Sequence, residues 1–169
     1  MTELILLLTA AVLHEAGHIL CAVLLNIPFS GFVFRPCGAV MTFDFSGTTY
    51  FRELCVHLAG PGTGILSAVL ALTVFGDAAV YFAGLSVCLA ALNLLPIRGL
   101  DGGGALYCLL SPVLPPDCVC RVCRSVSAAV TLFLWTAVLW MELRVRAGIS
   151  LLLFVVYMMI FCTEIVNFR

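Results

Sequence analysis

Two histidines and a glutamate interrupt an otherwise apolar run near the start of the chain, in the stretch L-H-E-A-G-H-I-L. His14 and His18 are four residues apart, so on an α-helix both imidazoles lie on one face and can reach a single metal ion. Glu15 lies beside that face, where its carboxylate can act as a general base towards a water molecule. The spacing therefore predicts a metal site with a proton acceptor next to it.

The segment around this motif, residues 4–26, is apolar and long enough to cross a bilayer as a helix. Ionisable side chains are costly at membrane depth, and where they occur they usually mark a functional site. The alternative is a polar patch for helix–helix hydrogen bonding, with Gly17 allowing another backbone to come close. Because three costly groups fall within five residues, metal binding is the favoured interpretation.

The composition is that of an integral membrane protein. Of 169 residues, 63% are hydrophobic and only 10% are charged, whereas soluble domains carry about 25% charged residues. The net charge of −1 argues against a nucleic-acid partner. Five apolar stretches are predicted to span the lipid bilayer: residues 4–26, 54–76, 78–96, 125–141 and 147–166.

These spans predict an all-α polytopic membrane protein forming a single domain over residues 1–169. Residues 1–110 are expected to hold a three-helix catalytic core, and residues 125–166 to add two peripheral helices. Within residues 27–50, two runs rich in Phe and Val are joined across Pro36-Cys37-Gly38 and predict a β-hairpin. An amphipathic surface loop is the alternative for this stretch.

The arginines predict the orientation, since cytoplasmic segments carry an excess of basic residues. The chain has eight Arg and no Lys. The face reached by the end of the first helix, called side two here, carries Arg35, Arg52, Arg121, Arg124 and Arg169, with Arg98 near it. The opposite face, side one, carries only Arg144 and Arg146. Side two is therefore predicted to be cytoplasmic.

A catalytic zinc site needs a third protein ligand besides the two histidines. Asp101 is the best candidate, because it follows the helix breaker Pro96 and precedes three glycines that allow close approach to another helix. Among the other acidic residues, Asp44, Glu53 and Asp117 are interpreted as loop or boundary residues, and Glu3, Asp77 and Glu142 lie at the opposite face. A Pro–Gly turn with Asp101 as a helix N-cap is the alternative. Together with H-E-x-x-H, the ligand interpretation is favoured.

Nine cysteines are present, an odd number, and most lie in apolar stretches. A disulfide framework is therefore not expected. Cys118, Cys120 and Cys123 form a C-x-C-x-x-C cluster in a predicted loop. Three thiolates can hold a metal, but no fourth ligand is apparent, so small residues near the membrane surface are the favoured interpretation.

H-E-A-G-H at residues 14–18, followed by N-L-L-P-I-R-G-L-D-G-G at residues 93–103, resembles the site-2 protease family of intramembrane zinc metalloproteases. The resemblance is nearest to the sporulation branch, whose members release a pro-sigma factor from the membrane. Two further stretches support it: F-R-P-C-G-A-V resembles the family's L-P-x-G-G segment, and L-A-G-P-G resembles its A-G-P motif.

The resemblance implies that His14, His18 and Asp101 bind Zn²⁺ and that Glu15 activates the attacking water. Asn93, eight residues before Asp101, matches the family asparagine that orients the substrate or stabilises the oxyanion, with helix packing as the alternative role. It also implies a zinc-dependent endopeptidase in a bacterial inner membrane, with its active site towards the cytoplasm. Its expected partners are a membrane-tethered substrate, such as a pro-sigma factor, and membrane regulatory proteins.

The sequence departs from the family pattern in ways that bear on regulation. Many relatives have an asparagine shortly after A-G-P, where Gly62, Thr63 and Gly64 stand here. The sporulation branch has a spanning helix ahead of the H-E-x-x-H helix and often a nucleotide-sensing CBS domain after the last helix, and neither of these, nor a PDZ domain, is expected from this sequence. The partner dependence of the sporulation branch is therefore not carried over to this chain.

Two other function classes are alternatives to the protease. A metal-transport protein needs ligands distributed along a path through the membrane, whereas the candidates here converge in two motifs. A proteolytically inactive, metal-binding relative is expected to have lost a ligand or the general base. His14, Glu15, His18 and Asp101 are all present, so the protease is the favoured prediction.

Overall fold

Helices dominate the part of the chain that the computed structural model describes, residues 2–35 and 38–145. In chain order the elements are α1 (Thr2–Leu24), β1 (Phe29–Arg35), β2 (Gly38–Phe43), α2 (Tyr50–Phe75), a 3-10 turn (Gly76–Ala79), α3 (Val80–Asn93), α4 (Asp101–Leu110) and α5 (Pro116–Val145). The predicted mostly helical fold is confirmed. The fifth predicted span, residues 147–166, lies outside the described residues.

Three of the described stretches are long and apolar enough to cross a membrane: Thr2–Leu24, Tyr50–Asn93 and Pro116–Met141. The second contains 44 residues, roughly twice the 20 or so that one crossing needs. The chain turns at Gly76, whose φ of 56° is left-handed, and α3 then runs back along α2. A Cβ at Gly64 would lie 3.5 Å from the Ser86 carbonyl oxygen and 3.6 Å from the Ala90 Cβ. The stretch is therefore a helical hairpin that contains two of the predicted spans.

The helices turn small and polar residues inward and large apolar residues outward. On α1, the buried residues are Ala10, His14, Gly17, His18 and Ala22. Leu4, Leu8 and Val12 on the same helix are more than half exposed. Lipid is as apolar as leucine, so membrane helices gain more by packing small residues closely than by burying large ones. The exposed apolar surface of α1 is therefore suited to contact lipid.

The hairpin predicted within residues 27–50 is confirmed. Strands β1 and β2 pair antiparallel, with Phe29 opposite Phe43 and Arg35 opposite Gly38, and the register is irregular between Phe29 and Gly31. The connecting residues 36–37 lie outside the described part of the chain. Antiparallel strands joined by so short a connection must be neighbours, which explains the pairing.

A small apolar cluster attaches this hairpin to the helices. Ile27 is buried with Ala22 of α1 and Val56 of α2, and Phe43 and Phe45 pack against the three. The chain leaves α1 through Asn26, which has a left-handed φ of 54°, a conformation that asparagine tolerates better than most residues. The hairpin is thus held beside the ends of α1 and α2 that face side two.

Helix α4 begins at Asp101, and its first turn lies against the irregular segment that follows α3. Side chains at Gly102 and Gly103 would overlap the backbone of Leu94 and Ile97, respectively. The N-cap is Leu100, and it makes no side-chain capping bond. Asp101 is therefore not the cap that the alternative interpretation supposed, and its carboxylate is available elsewhere.

The position of the three neighbouring cysteines was predicted wrongly. Cys118, Cys120 and Cys123 lie in the first turns of α5, not in a loop, because this helix begins at Pro116 rather than at residue 125. Proline is well suited to the first helical position, where its fixed φ is already helical and its missing N–H is not needed. Cys118 and Cys120 are exposed and Cys123 is buried, so the three thiols do not share one environment.

Gly17 provides a test of the packing between α1 and α2. A methyl group at Gly17 would overlap Thr63 and the backbone of Ala59, whereas a methyl at Gly84 would meet no other heavy atom within 4 Å in the described part of the chain. Overpacking typically costs about 1–3 kcal/mol. Gly17→Ala should lower the free energy of unfolding by that amount, measured by SDS titration in mixed micelles. Gly84→Ala is the control, and equal stability of the two variants would contradict the close approach of α1 and α2.

Candidate metal centre

Three predicted ligands from distant parts of the chain meet at one point. His14 and His18 extend from α1, and Asp101 approaches from the start of α4, 87 residues after His14. Asp101 Oδ2 lies 3.1 Å from His14 Nε2 and 3.2 Å from His18 Nε2, and the two Nε2 atoms are 3.3 Å apart. The predicted convergence of His14 and Asp101 is confirmed.

These three distances form a nearly equilateral triangle of ligand atoms. Ligands around a tetrahedral zinc ion, with bonds of about 2.0–2.1 Å, are separated by about 3.3–3.5 Å. The separations between these three atoms are therefore within a few tenths of an ångström of those expected for ligands that share one zinc ion. His14 and His18 are buried and Asp101 is half-buried, so the ligand atoms are also shielded from competing water.

The backbone of α2 fixes the orientation of His18. His18 Nδ1 lies 2.8 Å from the carbonyl oxygen of Val56. Since a carbonyl can only accept, Nδ1 carries the hydrogen, and a neutral imidazole then has its lone pair on Nε2. That lone pair faces the Asp101 carboxylate, which is also an acceptor. Two acceptors at this distance need a proton or a cation between them, and a metal ion meets that need.

Close approach of α2 to His18 depends on a glycine of the L-A-G-P-G segment. A side chain at Gly60 would overlap the imidazole of His18. The ring therefore lies directly on the backbone of α2, one turn beyond Val56. The segment that resembled the A-G-P motif thus has a structural role here, since it makes room for a ligand.

Glu15 lies outside the triangle of ligand atoms. Its side chain is exposed, while its charge still acts electrostatically on His18. Successive residues of a helix are rotated by about 100°, so Glu15 is beside the ligand face rather than on it. This position fits a group that handles a proton near the metal without binding the ion.

Asn93 is at the end of α3 and uses its amide within that helix. Its Nδ2 donates to the carbonyl oxygen of Leu89 at 3.0 Å, and the residue is half-buried. Within the described residues, no hydrogen bond joins Asn93 to His14, His18 or Asp101. One N–H of the amide remains available, so the predicted role in oxyanion stabilisation stays a prediction.

Sequence reasoning missed a second group of chemically active residues beside the triangle. His57 of α2 lies with Nδ1 3.9 Å from Asp101 Oδ1 and with Nε2 3.9 Å from Glu53 Oε1. Buried Cys108 of α4 completes a potential metal-binding group with Glu53 and His57. The signal was the spacing of Glu53 and His57, four residues apart at the start of α2, where Glu53 was interpreted as a boundary residue.

The Cys108 thiol is held in its protonated form by its surroundings. Burial, and then the charge of the neighbouring Glu53, raises the pKa of Cys108 to about 12. Without a bound cation, Cys108 is therefore neutral at physiological pH.

Aromatic side chains connect the hairpin to this region. Ring centroids are 5.9 Å apart for Phe29 and Phe43, 6.2 Å for Phe43 and Phe45, and 6.0 Å for Phe45 and His57. These separations are typical of interacting rings. Through Phe45, which follows β2, the hairpin is therefore connected to His57, a residue next to the candidate ligands.

Comparison with known proteins shows the fold. No protein-family model matches the sequence, and no curated protein matches it. The structure is similar to that of a site-2 protease from Methanocaldococcus jannaschii, with a TM-score of 0.71 and 23% sequence identity over 98% of this chain and 77% of that chain. The chain therefore has the fold of a site-2 protease.

Removing the carboxylate ligand tests the triangle directly. Asp101→Ala should lower the zinc content of the purified protein by one equivalent relative to wild type, because two histidines alone bind zinc much more weakly than three ligands do. Asp117→Ala, which removes an exposed carboxylate at the start of α5, is the control. The zinc content of the protein purified in detergent would be measured by elemental mass spectrometry. Unchanged zinc in Asp101→Ala would exclude Asp101 from the ligand set.

A substitution that touches no ligand tests the support of His18. Gly60→Ala should displace the His18 imidazole and reduce zinc content, because the new methyl group would occupy the position of the ring. Gly62→Ala, on the same helix, would meet no described heavy atom within 4 Å and should retain zinc. Equal zinc affinity of both variants, measured by competition with a chelator, would contradict the packing of His18 on Gly60.

Proposed function

We propose that this chain, which has the fold of a site-2 protease, is an intramembrane zinc endopeptidase acting on a membrane-associated protein. The observation that carries the proposal is the convergence of His14, His18 and Asp101, with Glu15 beside them, in a bundle whose long helices are apolar enough to cross a membrane. Groups so costly at membrane depth are retained only where they are used. Peptide hydrolysis uses all four residues.

The donor set fits zinc. Two imidazole nitrogens and one carboxylate oxygen are a common protein ligand set of catalytic zinc sites, in which one position is left open. The fixed tautomer of His18, set by its bond to Val56, presents the correct nitrogen to the ion. Zinc, when bound, supplies a Lewis acid that polarises the scissile carbonyl and makes water more acidic.

Glu15 is assigned the proton transfers. It accepts a proton from the attacking water and delivers it to the nitrogen of the departing amine, so that neither charged hydroxide nor an amide anion has to form free in solution. Its side chain is exposed next to the ligand face, where it can approach both the water and the substrate. This division explains why the motif needs a carboxylate that does not bind the metal.

Asn93 is assigned to the carbonyl oxygen of the substrate. The amide N–H that is not bonded to Leu89 can donate to this oxygen as negative charge develops on it. Such donors are worth most in a site from which water is excluded. A substrate would have to reach the end of α3 for this contact, which is the side of the membrane where α4 begins.

The hairpin is assigned to substrate binding. A peptide bond in a helix is shielded and already hydrogen-bonded, so a substrate segment must become extended before water can attack. Strands β1 and β2 form a two-stranded sheet, and a free edge of such a sheet can hold an extended peptide by β-augmentation. The aromatic contacts from Phe43 through Phe45 to His57 place this sheet next to the metal ligands.

The proposed cut lies near side two, where the hairpin and the start of α2 are found. The arginine distribution predicts that this side is cytoplasmic, and a bacterial inner membrane is the proposed location. A pro-sigma factor tethered to the membrane is the proposed substrate, with membrane proteins as regulators. These finer assignments rest on the sequence motifs.

Glu15→Gln tests the mechanism. This variant keeps the size and hydrogen bonding of the side chain but cannot accept the proton, so proteolysis should fall by about 10²–10⁴-fold while zinc content is unchanged. The measurement is the conversion of a co-expressed, membrane-tethered pro-sigma factor to its shorter form. Glu3→Gln is the matched control, because Glu3 lies in the first turn of α1 and is also exposed.

Equal processing by wild type and Glu15→Gln would contradict the proposed mechanism. Loss of zinc in Glu15→Gln would also count against it, because Glu15 is assigned to the proton and not to the metal. If the wild-type protein cuts other membrane-tethered proteins but not this one, the pro-sigma factor is excluded as the substrate.

A further inference from the structure

A second set of metal-binding side chains lies next to the triangle of His14, His18 and Asp101. Glu53 and His57 are one turn apart on α2, and Cys108 faces them from α4. One potential ligand atom of each residue lies within 4.8 Å of the other two. The proposed protease chemistry uses none of these three residues.

His57 and Glu53 form a long ion pair, and the spacing of its two atoms is close to that of two ligands on one ion. His57 Nε2 and Glu53 Oε1 are 3.9 Å apart, which is too long for a hydrogen bond. Two ligands of a tetrahedral zinc ion are separated by about 3.3–3.6 Å, depending on whether nitrogen, oxygen or sulfur binds. A shift of a few tenths of an ångström, within the freedom of the Glu53 side chain, would bring both atoms onto one ion.

The surroundings favour a cation at this position. Cys108 is 2% exposed, and the side chains of Glu53 and His57 are only 19% and 25% exposed. Within the described residues, no arginine forms an ion pair with Glu53. A carboxylate, an imidazole and a thiol are a donor set that suits zinc, which deprotonates a thiol on binding.

We propose that Glu53, His57 and Cys108 form a second zinc site adjacent to the first, one that supports the ligand Asp101. Zinc on His57 Nε2 requires the hydrogen of the ring to be on Nδ1. That nitrogen faces Asp101 Oδ1 at 3.9 Å, while Asp101 Oδ2 faces His14 and His18. The second ion therefore orients the Nδ1–H of His57 towards Asp101 Oδ1, the carboxylate oxygen that does not face His14 or His18.

Gly104 contributes to the same arrangement. A side chain at Gly104 would overlap the imidazole of His57, so the ring of His57 lies against the backbone of α4. Asp101 and Cys108 extend from this same helix. Helix α4 thus supplies a ligand to each site, and His57 of α2 lies between them.

Cobalt substitution distinguishes the two sites by their ligands. A thiolate bound to Co²⁺ gives an intense sulfur-to-metal charge-transfer absorption in the near ultraviolet, and the triangle of His14, His18 and Asp101 contains no sulfur. Full-length protein purified in detergent, stripped of metal and reloaded with Co²⁺ should show this band and bind two equivalents. Cys108→Ala and Glu53→Gln should each lose the band and bind one equivalent fewer.

Matched variants separate this site from other sources of sulfur and from the first site. Cys55→Ala removes a half-buried cysteine of α2 that lies between Glu53 and His57 in sequence, and it should keep the band. The double variant His14→Ala/His18→Ala removes the first site and should keep the band as well. Glu53→Gln preserves side-chain volume, so it provides the test even if Cys108→Ala fails to fold.

Absence of the band in wild-type protein, or its persistence in Cys108→Ala, would overturn the proposal. Loss of the band in the His14→Ala/His18→Ala variant would overturn it too, since the thiolate would then belong to the first site. The readout does not involve proteolysis. A protein that binds cobalt through Cys108 but cuts no substrate would refute the proposed function and leave the second site standing.

Discussion

The contact of Asp101 with His14 and His18 is the interaction on which the rest of the described structure depends. Each of these groups is costly to bury alone, and polar groups persist in an apolar setting only when they are paired or bind a metal. The contact joins α1 to α4, although 87 residues separate His14 from Asp101 in the chain. The intervening helices must therefore be arranged so that this loop can close.

Glycine makes that closure possible at three places. Gly17 lets α2 approach α1, Gly60 makes room for the His18 ring, and Gly102 lets α4 start against the segment that follows α3. In a membrane, large apolar side chains gain little by leaving lipid, so close backbone contact and polar bonds supply the association. The glycines thus perform the function that a packed apolar core performs in a soluble protein, and the larger residues remain available to lipid.

A chain of side-chain contacts connects the candidate metal ligands to the hairpin. Val56 fixes His18, His57 of the same helix faces Asp101, and Phe45 connects His57 to the hairpin. A change in the hairpin, such as an extended peptide pairing with it, would therefore reach the ligands through very few contacts. Under the proposed function, substrate binding at the hairpin is therefore coupled to the arrangement of the candidate ligands.

The sequence by itself determined the features that depend on local spacing and composition. The helical period placed His14 and His18 together, and the apolar runs indicated the spans. Two runs rich in Phe and Val, joined across Pro36-Cys37-Gly38, predicted the hairpin. Asp101 stands out in the sequence because the helix breaker Pro96 precedes it and three glycines follow it. Tertiary structure alone decided that Glu53 and His57 face Cys108. A Glu–His pair four residues apart is common on helix surfaces, and the local sequence does not indicate which residue packs against it. It also decided that α5 includes the cysteine cluster, because the hydropathy that predicts a span does not detect a polar first turn beginning at Pro116.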